Sequence, residues 1–377
     1  MGPMTLALLD DDAYFGEMLS AYIRGSAFAE RFRLKRFTAG EEGLRYLLEE
    51  KEARILLVHE SWLPLPEEVF VHPAGAVVIL SESAAQGGVL EYPVLCRYQP
   101  LDRLMSAVAS HYNEYNAALP LRGIRGTRVA LVHSAGGGTG KTVTAVHLAR
   151  RLPPPRGRAL RGERVLLLSL ERYGSLPWFK DETGGDSETF SRLLYYVRMN
   201  PAAAAGKLEG LVCRHGYGRF DYVPPAAEPQ ELEELGAEHA SGLVEAVRAS
   251  GLYDVLIVDT DSYAPALSSA LFGPADNILW LVTDDLVHLH KCSRLLRSMQ
   301  AKETPRASWQ SKVRFVLNRS TGTPLNSFEE YGLKIHHRLP YVPEWKAVSR
   351  IGQLHQAPAF EDAAGLLLEP VGSGAGL

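Results

Sequence analysis

Short apolar runs alternate along this chain with stretches in which apolar residues recur at every third or fourth position. In the first 115 residues the runs lie at 5–9, 33–37, 55–58, 76–80 and 94–96, and helical periodicity fills 14–23, 40–50 and 101–111. Runs such as Leu6-Ala7-Leu8-Leu9 and Ile55-Leu56-Leu57-Val58 are apolar at every position, not at every second one. A strand of that kind is buried on both faces, as in a parallel sheet covered by crossover helices. The stretch 116–126, which holds Pro, Gly and Arg, breaks the rhythm, and alternation resumes at Thr127. Beyond it, strands are predicted at 128–132, 165–170, 221–223, 255–258, 278–282 and 313–317, and helices at 142–152, 187–199, 240–250, 286–301 and 360–368. The expected fold class is α/β: two doubly wound domains, 1–115 and 127–377, joined by a linker at 116–126.

Composition refines this picture in two places. The net charge of -4 conceals an acidic front, with 10 Lys and Arg against 17 Asp and Glu up to residue 115, and a weakly basic remainder. That excess is too small to imply nucleic acid without a local patch. The three cysteines, Cys96, Cys213 and Cys292, have no disulfide or metal spacing and read as small buried hydrophobes in a reducing compartment. No apolar stretch approaches the ~18 residues of a bilayer span, and acidic Asp10 stands where a leader would be basic. The expectation is a cytoplasmic protein.

Chemistry enters at Ser134-Ala135-Gly136-Gly137-Gly138-Thr139-Gly140-Lys141-Thr142, between a predicted strand and a predicted helix. Glycines there let backbone N–H groups converge on phosphate oxygens, and the helix start adds its positive dipole end. The expected cradle is Gly136, Gly137, Gly138, Thr139, Gly140, Lys141, Thr142 and Val143. Lys141 would reach the β- and γ-phosphates and Thr142 would hold Mg²⁺. Ala135 replaces the first glycine of the usual pattern, so a loop that kept the shape without the ligand is the alternative. Val255-Leu256-Ile257-Val258-Asp259 is an apolar strand ending in a carboxylate, and beside a phosphate loop such an Asp serves the metal. Asp259 as a turn or helix-cap residue is the plainer reading. The run 165–170 likewise ends in an acid, Glu171.

Taken together, residues 127–360 resemble the MinD/ParA group of P-loop ATPases. Phe315-Val316-Leu317-Asn318-Arg319 matches that group's late strand, and Leu339-Pro340-Tyr341-Val342-Pro343 its proline-containing turn. The resemblance implies ATP and Mg²⁺ as cofactors, a nucleotide-sandwiching homodimer, adenine recognition by Asn318, and a catalytic set of Lys141, Glu171 and Asp259. It also locates departures. The group's signature lysine, which reaches across the dimer, is Gly136 here. Its D-x-D pair reads Ser169 and Glu171, the latter keeping the charge that orients water. A missing cation at a developing phosphoryl charge can be worth roughly 10³–10⁵ in rate, so slow hydrolysis is expected. Arg172 and Arg319 are the open candidates for a substitute.

Residues 4–112 resemble a response-regulator receiver of the CheY-like fold. Asp10-Asp11-Asp12 matches its acidic, metal-holding cluster, Ser81 its switch hydroxyl, and Gln99-Pro100 its Lys-Pro pair with the lysine replaced. The phosphoacceptor position is Glu60, or His59 if counted from the strand end, and neither is an aspartate. Phosphorylation is therefore not expected, and the domain reads as a docking or dimerisation module. A degenerate receiver followed by a deviant MinD/ParA ATPase resembles the TadZ/CpaE family of pilus-assembly proteins. That implies partners in a bacterial Flp/Tad-type pilus or secretion apparatus and a polar or site-marking role.

Remaining features are weighed against duller readings. The end, Leu366-Leu367-Leu368-Glu369-Pro370 and a Gly/Ser tail, lacks the basic face of a membrane-binding helix, so recruitment through a partner is preferred to insertion. DNA is the alternative partner. Its candidate contacts are Arg150, Arg151, Arg156, Arg158, Arg161 and Arg164, which read equally as a solvated loop. His288, His290, His336 and His337 lack metal-site spacing and are expected on helix or loop surfaces. Glu231, Glu233 and Glu234 read as an exposed helix start.

Overall fold

The structure is a computed structural model, and it describes residues 3–49, 54–66, 76–83, 92–115, 126–152, 163–174, 188–215, 220–262, 265–301 and 309–369. Its contacts divide into two compact units. The first takes residues up to 124 together with 202–210, and the second most of the remainder.

In the first unit, β1 (Met4–Leu9), α1 (Ala13–Gly25), β2 (Phe32–Phe37), α2 (Gly40–Glu49), β3 (Arg54–His59), β4 (Ala76–Ser81), β5 (Val94–Cys96) and α3 (Leu101–Tyr115) follow one another. The strands form one parallel sheet in the order β2-β1-β3-β4-β5, the flavodoxin-like order. The apolar runs explain it. Leu6, Leu8, Ile55, Leu57, Val78 and Leu80 face one side, under Phe15 and Leu19 of α1 and Leu104 and Val108 of α3. Ala7, Leu9, Leu56 and Val58 face the other, with Leu47 of α2. Arg31 and Glu209, both buried within this unit, pair through two contacts of 2.6 Å.

The second unit holds an eight-stranded sheet in the order β13-β12-β11-β6-β10-β7-β9-β8. Its strands are β6 (Arg128–His133), β7 (Val165–Leu170), β8 (Cys213–Arg214), β9 (Asp221–Val223), β10 (Val255–Thr260), β11 (Asn277–Val282), β12 (Val313–Ser320) and β13 (Ile335–Pro340). Every pairing is parallel except β8 with β9. The helices that matter below are α4 (Lys141–Arg151), α5 (Leu286–Ala301) and α6 (Pro358–Gly365).

Three expectations change here. The strands β8 and β13 lie outside the predicted set: one is two residues long, and the other is a polar edge strand reading Ile-His-His-Arg-Leu-Pro. His336 and His337 therefore lie on a strand, and His336 Nδ1 accepts the Phe315 N–H at 3.1 Å. The last helix begins at Pro358, a residue preset for the first helical position, and gives way to a 3₁₀ turn at Leu366–Leu368. Cys292 is buried as expected, but Cys96 and Cys213 are only half-buried, and none of the three is in a disulfide. Among the described residues no helix is long and apolar enough to cross a membrane.

Candidate functional site

Because β11, β6, β10 and β7 are adjacent and parallel, their carboxyl ends open on one edge of the sheet, where ligands of such folds bind. That arrangement brings the turn after β6, Asp259 near the end of β10 and Glu171 just after β7 to the same place. The turn enters α4 through Gly140, whose φ of 90° is open to glycine and strained for other residues. Gly138, with φ 68°, is a second such position. Gly140 caps α4 without any side-chain hydrogen bond, so the N–H groups of the first turn are left to an anion.

Lys141, Thr142 and Asp259 are buried, and half-buried Ser262 and Glu171 join them around the turn. The Lys141 ammonium donates to Ser262 Oγ at 2.7 Å and lies 3.6 Å from Glu171 Oε1. Ser262 Oγ in turn donates to the Gly136 carbonyl at 2.7 Å. Thr142 Oγ1 donates to Asp259 Oδ2 at 2.7 Å, while Asp259 Oδ1, also buried, has no partner among the described residues. Burial, and then the Glu171 charge, push the Asp259 carboxyl up to about 8, against the opposing pull of Thr142, Lys141 and the nearby Ser169 hydroxyl. A buried carboxylate oxygen without a donor, beside a hydroxyl, suits a hard divalent cation. The N–H-lined turn with Lys141 suits a polyphosphate. The residues present thus fit both groups.

Asn318, at the end of β12, reaches under the turn, donating Nδ2–H to the Thr139 carbonyl at 2.7 Å and accepting the Arg319 N–H at 2.8 Å. Arg319 donates to the Gly138 carbonyl at 2.6 Å. Arg172 is committed elsewhere, to Asp261 at 3.0 Å and Glu233 at 3.2 Å. Val143 turns its side chain to the hydrophobic core, so only its backbone faces the turn.

His288 corrects the sequence reading. It is buried, not at a surface, and it braces the turn. Its Nδ1 accepts the Thr283 N–H at 3.1 Å, which leaves the proton on Nε2, 3.2 Å from Ser134 Oγ. The Ser134 hydroxyl in turn donates to the Leu281 carbonyl at 2.8 Å. Burial holds His288 below the usual imidazole range, keeping it neutral in this chain of bonds. The ring also covers Gly136, where an added Cβ would lie 2.9 Å from His288 Cδ2. Neither His288 nor Ser262 carries a signal in sequence, since both depend on which helix and loop pack over the turn. Glu231 also departs from its expected exposure. It is half-buried and bonded to Ser191, whereas Glu233 and Glu234 are exposed.

In the first unit, the acidic cluster has an internal cation. Arg97, buried, donates to both Asp10 oxygens at 3.2 and 3.3 Å and to Glu82 at 2.8 Å, and lies 3.7 Å from Asp12. Asp11 points away, accepting the Trp62 indole N–H at 2.8 Å. Glu60 accepts the Glu82 N–H at 3.2 Å and is held below the usual carboxylate range, chiefly by Ser81 and then by that N–H. Replacing Arg97 strands the Asp10 carboxylate in a buried position. Arg97→Met should therefore lower stability by about 3 kcal/mol, the low end for breaking a buried pair, because Asp12 and Glu82 stay partly solvated. Urea unfolding at neutral pH checks it, and an unchanged midpoint would show that the cluster does not need its arginine.

No family model and no curated protein matches the chain. Among solved structures, a ParA family ATPase from Chlorobium tepidum TLS aligns with 64% of this chain and 96% of its own, at 19% identity and a TM-score of 0.51. This chain carries the ParA-type ATPase fold. Also similar are the septum site-determining protein MinD of Pyrococcus horikoshii OT3 complexed with Mg-ADP and a point variant of Cyanothece McdA complexed with ATP. Their TM-scores are 0.43 and 0.42, at 16% and 19% identity. The first covers 64% of this chain and 94% of its own, the second 59% and 86%.

Proposed function

We propose that this protein is an ATP-binding, slowly hydrolysing switch that works as a homodimer to place or assemble a bacterial Flp/Tad-type pilus or secretion apparatus. The observation that carries the nucleotide part is the 2.7 Å contact of Thr142 with Asp259, whose second oxygen has no partner among the described residues. In this reading the turn 136–143 and Lys141 bind the phosphates, and Asn318, its amide committed to the turn, braces it from beneath. Thr142 and Asp259 hold Mg²⁺, which supplies charge neutralisation when bound. Glu171 orients water. Turnover is slow because Gly136 offers no cation and His288 covers it.

The pilus assignment rests on the pairing of units. The first unit has the sheet order of a receiver, but Glu60 stands at the acceptor position and Arg97 neutralises the acidic cluster, which suits docking better than phosphoryl transfer. Partition on DNA is less favoured. Arg150 pairs with Glu361 at 2.8 Å, Arg151 with Asp362, and Arg164 with Asp221 at 3.1 Å. Arg156, Arg158 and Arg161 lie outside the described residues.

The test is titration of the full chain with ATP–Mg²⁺ and ADP, turnover, and light-scattering mass in each nucleotide state, with Lys141→Ala as control. Binding that weakens in the control, with a larger mass in ATP, is the expected result. Wild-type protein that binds no nucleotide would leave a scaffold of the same fold. A mass that never changes would count against the switch.

A further inference from the structure

Neighbouring residues of a strand point to opposite faces, so Asn318 and Arg319 should not reach the same loop. They do, and the backbone shows how. The pairing of β12 with β13 slips between Leu317 and Ser320, and Arg319 takes φ 57°, the one left-handed non-glycine residue among those described. Such a bulge re-aims a side chain, and left-handed backbone at a non-glycine residue gathers at functional sites. The outcome is a pair of tethers on consecutive carbonyls of the turn: Asn318 Nδ2 on Thr139 and Arg319 on Gly138, at 2.7 and 2.6 Å. The approach beneath the turn is close enough that a Cβ on Gly140 would sit 2.5 Å from Asn318 Nδ2.

We infer that Arg319 is a nucleotide-positioning residue: by fixing the Gly138 carbonyl it keeps the neighbouring N–H groups turned towards the phosphates, and so sets how long a nucleoside di- or triphosphate stays bound. It acts through the loop, not as the missing cross-subunit cation, and it serves ADP and ATP alike. The consequence for nucleotide rests on the function proposed above; the effect on the loop does not.

Two variants separate the guanidinium from the backbone. Arg319→Gly removes the side chain and accepts the left-handed conformation, and Arg319→Ala removes it while keeping the strain. Each should speed dissociation of fluorescent ADP and ATP analogues about tenfold, the value of one charge-assisted hydrogen bond. In nucleotide-free protein, amide exchange over 136–141 should quicken to a similar degree, with the melting temperature of Arg319→Gly unchanged. Unaltered loop exchange in both variants would overturn the inference. Loss confined to ATP would overturn it too, by placing the guanidinium on the terminal phosphate. Wild-type protein that binds neither nucleotide would defeat the proposed function, and loop exchange alone would then decide the role of Arg319.

Discussion

Gly140→Ala should reduce ATP affinity by about 100-fold or more, whereas Gly137→Ala should leave it within about threefold. Both substitutions add one methyl group to the same turn, so the contrast tests geometry and not composition. At Gly140 the backbone has φ 90°, a conformation that costs an alanine roughly 1–2 kcal/mol. The new methyl carbon would also meet Asn318 Nδ2 at 2.5 Å. An amide at the end of a flexible side chain can normally give way, but Asn318 is buried and bonded at both of its polar atoms. Moving it leaves the Thr139 carbonyl without its donor, at about 1–3 kcal/mol. The variant relieves these costs by letting the turn collapse, which removes the N–H cradle. At Gly137 the φ is not left-handed and an added Cβ meets nothing within 4 Å. Calorimetric titration with ATP–Mg²⁺ reads both. Equal losses in the two variants would mean that the turn is not held from below.

The parts of this site that were legible in the sequence are those fixed by local chemistry. Gly140, Lys141 and Thr142 declare a phosphate turn because only glycine takes the required backbone and only the helix start supplies free N–H groups. Asp259 could be read because an uninterrupted apolar strand must be central in a parallel sheet, and its first polar residue must emerge at the carboxyl edge. Strand order followed less directly, since the pairing of β6 with β10 and β11 joins segments far apart along the chain. What escaped was set by tertiary packing. Ser262 bridges Lys141 and Gly136 only because the chain after β10 folds over the turn. Arg97 fills the acidic cluster from just after β5, a position with no charge rule to announce it. A polar edge strand such as β13 has neither alternation nor a full apolar run, so its histidines resembled loop residues.

The second large effect concerns acid. His133, the last residue of β6, is 3% exposed, packed edge-on against Trp280 and Phe272, and neither ring nitrogen has a partner among the described residues. Burial, and then the Lys141 charge, pull it down to about 3 from the ordinary value of 6.5. The unfolded chain therefore takes up a proton at His133 well before the folded one does. Its contribution to stability is complete above about pH 6.5 and is lost as pH falls towards 3, at up to about 1.4 kcal/mol per pH unit. At pH 5 the loss is about 2 kcal/mol. Asp259, raised to about 8, acts in the opposite sense, because the folded state holds its proton longer. His147 and His355, each lowered to about 4 chiefly by burial, act in the same sense as His133. The pH profile of the whole protein is therefore a sum, and only a difference isolates one residue. His133→Leu keeps an apolar side chain among the aromatic rings and removes the titration. Urea unfolding of wild type and variant at pH 7.5 and pH 5 should show the variant gaining about 2 kcal/mol relative to wild type on acidification, whatever the offset at neutral pH. Parallel pH slopes would mean that His133 finds a way to water, and the turn it precedes would then be less tightly packed than its burial implies.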